Sequence, residues 1–347
     1  MPTILHLVGS AEDDFHAELS RLYAGACLTA LAGHADHDVH LAYISPEGSW
    51  RFPVDLSESS LRSAVGMTVA EAVTHLELLG IDVVVPQMFC LPGMTTYRAL
   101  FDVLGIPYLG NRPDVMALGA DKAKTRAVVA AAGVAVPAGA VVHPGESSPL
   151  TLPVVVKPVG ADNSVGVSLV REPAQWDAAV ELASAHNGCA LVESYVELGR
   201  EVRCGVIVRD GELMCLPLEE YAVDEDTKPI RDREDKLART DDGDLYLVAK
   251  ESSKAWIVDD EVLTERVWEA ARRCHVALGC RHYSLFDFRI DPEGRPWFLE
   301  AGLYCSYAPT SVIAVMAAAI GLHVKDLFDI AVDELHREGA SCLMSSL

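Results

Sequence analysis

Lysine is scarce in this sequence. Of 28 basic residues in 347, eight are lysine and twenty arginine, and no lysine precedes Lys122. The balance 28 − 51 = −23 leaves no basic surplus. That argues against a general nucleic-acid or anionic-membrane surface, since both require a basic face. No apolar run reaches the roughly 18 residues a membrane-spanning helix needs. No Cys-x-x-Cys pair occurs among the nine cysteines, which excludes a zinc ribbon and a thioredoxin motif. Most cysteines sit in apolar runs such as Arg203-Cys204-Gly205-Val206-Ile207, the setting of reduced, buried thiols in a cytoplasmic protein. No Walker A motif is present either. The N-terminus, Pro2 to Gly9, lacks a basic start and reads as a first strand, not a signal peptide.

What is present is a globular α/β pattern. At about 150 residues per domain the length suggests two or three domains. Apolar strands at Ile4–Val8, Val39–Ile44 and Ile81–Val85 alternate with helices at Ala17–Leu31, Val69–Leu79 and Thr95–Leu104. This is the signature of a parallel sheet covered on both faces, and we place its end near Asp114. A helix over Asp121–Ala132 follows, then strands Val154–Pro158 and Val165–Val170, a helix Glu172–Ala185 and a strand Ala190–Glu193. A hairpin Val202–Arg209/Leu213–Glu219 comes next. Residues 224–244 form a polar loop with nine acidic and five basic residues, and a loop that long is a functional lid or disordered. A helix Thr264–Leu278 leads to strands Ser284–Ile290 and Pro296–Glu300 across an Asp-Pro-Glu-Gly turn. Helices at Ser311–Ile320 and Leu327–Leu335 finish the chain. The expected domains are 1–114, 115–200 and 201–347.

Four segments carry candidate chemistry. Asp287 lies inside an apolar strand and Glu300 at the end of the next, so the two carboxylates can converge on a hard cation such as Mg²⁺. The plain alternative is two solvated strand-end charges, but an unpaired charge between Phe286 and Phe288 is costly. Lys157 ends a buried β run and needs an anion. The loop after it, with Asn163 and Ser164, can wrap phosphates with backbone donors, although an edge-strand lysine would look the same. Glu193 to Val196, followed by Glu201, suits an adenine edge and ribose hydroxyls, or a charged surface strand. Asp121-Lys122 opens a helix, where Lys122 either reaches a phosphate or is solvated beside a capping Asp.

Taken in order, these segments resemble the ATP-grasp superfamily, and within it the D-alanine–D-alanine ligase-like enzymes, over nearly the whole chain. The resemblance implies an α/β fold of three domains, an N-terminal parallel-sheet domain before two ATP-grasp domains that grip ATP. It implies that Lys122, Lys157 and Lys236 contact phosphates with Asn163 and Ser164, that Glu193 and Val196 hold adenine, and that Glu201 holds ribose. Asp287 and Glu300 would bind Mg²⁺. Lys236, Ser306 and Ser164 would be catalytic, and Ser311, Tyr304 and Gln87 would contact substrate. Small-molecule substrates, no nucleic acid, no membrane, a cytoplasmic setting and a homodimer are expected.

Departures from the family pattern concentrate on the substrate side. The family's Glu-x-Asn is Glu300-Ala301-Gly302, its Arg two residues before the metal Asp is Leu285, and its Pro-Gly oxyanion turn is Leu303-Tyr304-Cys305-Ser306. Asn163-Ser164 replaces Ser-Ser, Leu237 replaces a Tyr, and Gln87 to Thr95 replaces a His-Gly-rich run. Ser311 is kept. The runs Pro86–Met94 and Leu299–Ser306 look like those of ligases that join an amino acid (Ser, Thr or Gly) to mycosporine-glycine as an imine. The alternatives are a dipeptide ligase working through an acyl phosphate and a non-catalytic ATP-binding protein derived from the fold.

Overall fold

The computed structural model describes residues 2–33, 37–160, 166–185, 187–224, 230, 237–239, 245–247 and 254–344. Three main sheets organise them. The first contains β1 (Thr3–Gly9), β2 (Asp38–Ile44), β3 (Trp50–Arg51) and β4 (Val83–Pro86), in the order β3-β2-β1-β4. β1 is parallel to both neighbours, and only the short edge strand β3 is antiparallel. Runs such as Val83-Val84-Val85 are buried throughout, as a parallel sheet requires. Around it lie α1 (Asp14–Leu31), α2 (Glu58–Ser63), α3 (Val69–Leu79), α4 (Leu91–Met94) and α5 (Thr96–Leu104). α3 begins at a capping box, Thr68 with Glu71, and ends at Gly80 with φ +63°. β3 and α2 escape a pattern reading because each is too short to show a period. The predicted helix Thr95–Leu104 is α5, and the short α4 ahead of it, not anticipated, is parted from it at Thr95 (φ −118°, ψ −77°).

α6 (Pro113–Gly119), not anticipated, and α7 (Lys122–Ala131) lead to the second sheet. Its strands are β5 (Gly139–Val142), β6 (Val154–Pro158), β7 (Ser168–Val170) and β8 (Ala190–Ser194), antiparallel in the order β5-β8-β6-β7. α8 (Trp176–Ser184) covers one face, and Val154, Val156, Trp176, Val180 and Ala183 form its core.

The third sheet is built on β9 (Arg200–Arg209). β10 (Glu212–Cys215) and β11 (Glu219–Tyr221) share one of its edges. The predicted second hairpin strand, Leu213–Glu219, is therefore two strands, parted at Pro217, which has no N–H for the ladder. β12 (Leu237–Arg239) and β13 (Leu245–Leu247) pair apart from the main sheets. β14 (Ala255–Ile257) extends the sheet beyond β11. α9 (Glu261–Leu278) precedes β15 (Tyr283–Ile290) and β16 (Pro296–Gly302), and α10 (Val312–Ala318) and α11 (Val324–Met344) close the chain.

Period-two alternation along β9 and β15 gives this sheet two different faces. Val202, Cys204, Val206, Phe286 and Phe288 share a core with Val267, Ala271 and Cys274 of α9. The intervening residues point the other way. Ile207 and Tyr283 pack with α10, α11, Cys27 of α1, and Ile4 and Val83 of the first sheet. Farther along that same face the intervening residues are Glu201, Arg203, Asp287 and Arg289. The eight described cysteines are all unpaired thiols. No described helix is long and apolar enough to cross a membrane.

Candidate active site

The second and third sheets enclose a cleft of about 820 Å³, its open mouth included. Every lining residue lies at or after Lys122; the lysine-free first sheet contributes none. β6 brings Lys157, β8 and its continuation bring Glu193, Tyr195 and Val196, β9 brings Glu201, and β15 and β16 bring Asp287, Arg289 and Glu300. Lys122 enters from the first turn of α7, where Asp121 caps the helix by accepting from Lys124 N at 2.9 Å. Eight residues singled out from the sequence, Lys122, Lys157, Glu193, Val196, Glu201, Asp287, Glu300 and the strand-end Pro158, thus share one cavity.

Each acidic group here meets a base. Lys157 Nζ is 2.6 Å from Glu193 Oε2 and donates to Leu299 O at 3.3 Å. Glu193 Oε1 also accepts from Arg126 Nε at 3.1 Å, and Arg126 reaches on to Pro137 O. Lys122 Nζ lies 3.4 Å from Glu300 Oε2. Arg289 donates to Glu201 at 3.0 Å and to Val196 O at 3.2 Å, joining the two positions proposed for ribose and adenine. The Tyr195 ring lies between two guanidinium groups, 5.6 Å from Arg171 and 5.3 Å from Arg289. Strand register explains the order. Arg203 on β9 opposes Asp287 on β15, and Asp287 opposes Glu300 on β16. Arg203 Nη2 donates to Asp287 Oδ2 at 2.9 Å, and its Nε makes a 2.6 Å ionic contact with Oδ1 without hydrogen-bond alignment.

Two carboxylates facing each other across neighbouring strands fit Mg²⁺, which commonly takes one or two carboxylates and fills the rest of its octahedron with water and phosphate oxygens. Among the described residues no third Asp, Glu, His or Cys joins them.

Sequence reasoning missed Arg126, Arg203 and Arg289. A signal was available for two of them: Glu201-x-Arg203 and Asp287-x-Arg289 are opposite charges two apart on apolar strands, and so share a face.

The remaining candidates lie elsewhere. Gln87 is fully buried, with Oε1 2.9 Å from His6 Nδ1 and Nε2 donating to Ser306 O at 2.9 Å. It braces the chain after β16 and does not line the cleft. Burial holds the His6 ring down at about 4 from an ordinary 6.5, against a smaller upward pull from Gln87. Ser306 is buried, and its Oγ accepts from Ala308 N at 3.3 Å. Tyr304 packs on Phe89, ring centres 5.3 Å apart. Ser311 caps α10, accepting from Ala314 N at 3.4 Å. Asn163, Ser164 and Lys236 lie outside the described residues, as does most of the proposed lid 224–244.

The fold, with its two ATP-grasp sheets closing on this cleft, defines the class: an ATP-grasp ligase. A family described as "D-ala D-ala ligase C-terminus" matches residues 140–333. The D-alanine–D-alanine ligase of Mycolicibacterium smegmatis is 33% identical over 266 residues, 74% of this chain and 69% of that protein. The one from Corynebacterium diphtheriae is 30% identical over 267 residues, 74% and 70% of the two chains. Among solved structures, the VanG D-Ala:D-Ser ligase from Enterococcus faecalis matches with a TM-score of 0.79 at 23% identity, covering 96% of this chain and 99% of that one. A Bacillus anthracis D-alanine–D-alanine ligase complexed with ATP matches with a TM-score of 0.69 at 18% identity, over 97% and 98%. The chain belongs to the D-alanine–D-alanine ligase family.

Proposed function

We propose that this ligase joins two small amino-acid-like substrates through an amide bond, using ATP to activate one of them as an acyl phosphate. The observation that carries the reading is the gathering of Lys122, Lys157, Asp287 and Glu300 around one cleft. The names of the relatives, D-alanine–D-alanine ligases, support it further. Lys122 and Lys157, with Lys236, Asn163 and Ser164, would neutralise the phosphates. Glu193 and the Val196 backbone would orient adenine, and Glu201 the ribose. Asp287 and Glu300 would hold Mg²⁺, which would offset the charge of the phosphates. The protein's part is positioning and charge neutralisation, with an amine displacing phosphate from the activated carbonyl carbon. Residues 224–244, as a lid, would exclude water. The domain division 1–114, 115–200 and 201–347 goes with this reading, the last two gripping ATP.

One observation favours a second reading, an imine-forming ligase acting on mycosporine-glycine with Ser, Thr or Gly. Leu285 and Gly302 oppose each other across β15 and β16, and the nearest atoms to a Cβ at 302 would be Leu285 Cβ and Cδ2 at 3.7 Å and Leu285 O at 3.9 Å. Neither Leu285 nor Gly302 has a side-chain donor to offer a tetrahedral acyl oxyanion. A vinylogous-amide carbonyl phosphorylated on oxygen would lose phosphate to an amine and leave a C=N bond.

The test is one assay with ATP and Mg²⁺. D-alanine alone, D-alanine with other amino acids, and mycosporine-glycine with serine are compared for phosphate release and product mass. Dipeptide formation supports the first reading. Phosphate release only with mycosporine-glycine, with the absorbance shift of an imine, overturns it in favour of the second. No phosphate release with any pair sinks both.

A further inference from the structure

The cleft is neutralised before any ligand arrives. Glu193 has Lys157 and Arg126, Glu201 has Arg289, Glu300 has Lys122 and Asp287 has Arg203. Two of these pairings fall on carboxylates proposed to hold metal, and that of Asp287 with Arg203 is the closer, at 2.6 Å against 3.4 Å for Glu300 with Lys122. Arg203 is buried, and its guanidinium spans both oxygens of Asp287. The charge of Glu300 acts on it as well. Beyond Arg203 in the same cross-strand row is Glu219, which accepts from the Tyr221 hydroxyl. A guanidinium does not deprotonate in a protein, so this positive charge is permanent. Asp287 and Glu300 against Arg203 and Lys122 sum to zero.

Two-metal phosphoryl-transfer sites place two cations beside one another to offset charge on the attacking and leaving oxygens. A hard divalent ion is drawn to uncompensated oxygen charge. Around Asp287 that charge is already compensated, and residue 302, opposite Leu285, is a glycine with no side-chain oxygen to add.

We infer that Arg203 is a built-in counter-cation of the metal site: it occupies the place a second divalent ion would take at Asp287, so a metal ion enters only with the nucleotide, one per chain. This rests on the nucleotide-binding reading above. Arg203 acts here through Asp287 and is a positioning residue.

The test reads metal directly, by the free Mn²⁺ signal in electron paramagnetic resonance. Mn²⁺ is titrated into wild type, Arg203→Lys and Arg203→Gln, with and without a non-hydrolysable ATP analogue, and analogue binding is measured separately by fluorescence. Without nucleotide, wild type and Arg203→Lys should leave Mn²⁺ free, while Arg203→Gln binds one ion on the order of tenfold or more tightly than they do. With the analogue, wild type should bind one. Wild type binding Mn²⁺ without nucleotide as tightly as Arg203→Gln, or binding two ions with it, overturns the inference. Failure of the analogue to bind sinks the nucleotide reading instead, and the nucleotide-free arm still decides this one. If Arg203→Gln does not fold, judged by circular dichroism, the wild-type arms decide alone.

Discussion

At the scale of the residue, Lys157 is the clearest case of a proposed phosphate contact that a ligand would have to draw from its present partner. A buried ammonium is expensive without an anion, and Glu193 supplies one at 2.6 Å. Glu193 keeps Arg126 when Lys157 moves toward a phosphate, so the exchange strands no charge. For the same reason Lys157→Met should fold with a loss of about 1–3 kcal/mol. A charge-assisted hydrogen bond contributes about 1.5–3 kcal/mol, so affinity for a fluorescent ATP analogue should fall roughly 10- to 100-fold. Lys124, exposed and paired with Asp121 on the surface, is the control, and Lys124→Met should change that affinity less than about twofold. Equal affinities for the two variants would remove Lys157 from the phosphate site.

At the scale of the element, β4 sends Gln87 between β1 and the segment that follows β16. Its amide satisfies the His6 ring and the Ser306 carbonyl at once, both buried. The segment so held carries Tyr304, Ser306 and Ser311, all proposed near substrate. Gln87→Met keeps the volume but leaves two buried polar groups without that partner, at a cost of about 1–3 kcal/mol. KM for the amino-acid substrate should rise several-fold while KM for ATP stays put, because the cleft proposed for nucleotide takes no lining residue from β4 or from the segment after β16. Steady-state kinetics at varied ATP and varied amino acid checks this. Equal shifts in both KM values would mean general loosening, not a local brace.

At the scale of the whole molecule, burial of uncharged histidines makes stability depend on pH. His6 and His275 are both held at about 4 from an ordinary 6.5, and burial is the principal cause in each. His275 Nδ1 lies 2.8 Å from Ser284 Oγ beneath α9. Between 6.5 and 4 the unfolded chain binds these protons and the folded one does not, so stability is fully present above 6.5 and lost as pH falls toward 4. Each group contributes up to about 3 kcal/mol to that loss. The charge of −23 acts oppositely, since acid relieves self-repulsion, but salt near 0.5 M screens it. Urea midpoints measured in that salt should fall from pH 7 to pH 5. A flat profile would show that these rings are not buried neutral.

Much of this molecule is legible in the chain itself. Apolar runs such as Val83-Val84-Val85 specify parallel strands, because such strands are buried on both faces. Thr68 with Glu71, and Gly80 after Leu79, mark helix ends through the backbone groups they satisfy. The late start of lysine, at Lys122, already set the first sheet apart from the cleft. The sequence also supplied Lys157, Glu193, Glu201, Asp287 and Glu300 as candidates, each a charge where a charge is costly. It could not supply their partners. Arg203 is 84 residues from Asp287, Arg126 is 67 from Glu193 and Arg289 is 88 from Glu201. Such pairings depend on which elements lie side by side, and for Arg203 and Arg289 on strand register too, since a one-residue slip would turn a strand's side chains to the opposite face. Gln87 shows the same limit: its position after β4 was plain, but only the packing of β1 and β4 against the segment after β16 gave it His6 and Ser306 as partners. Sequence determined the elements and the charges, because propensity, period and the cost of burying charge are local. Tertiary structure alone decided which charge meets which, because that is settled by pairing across distances the chain does not record.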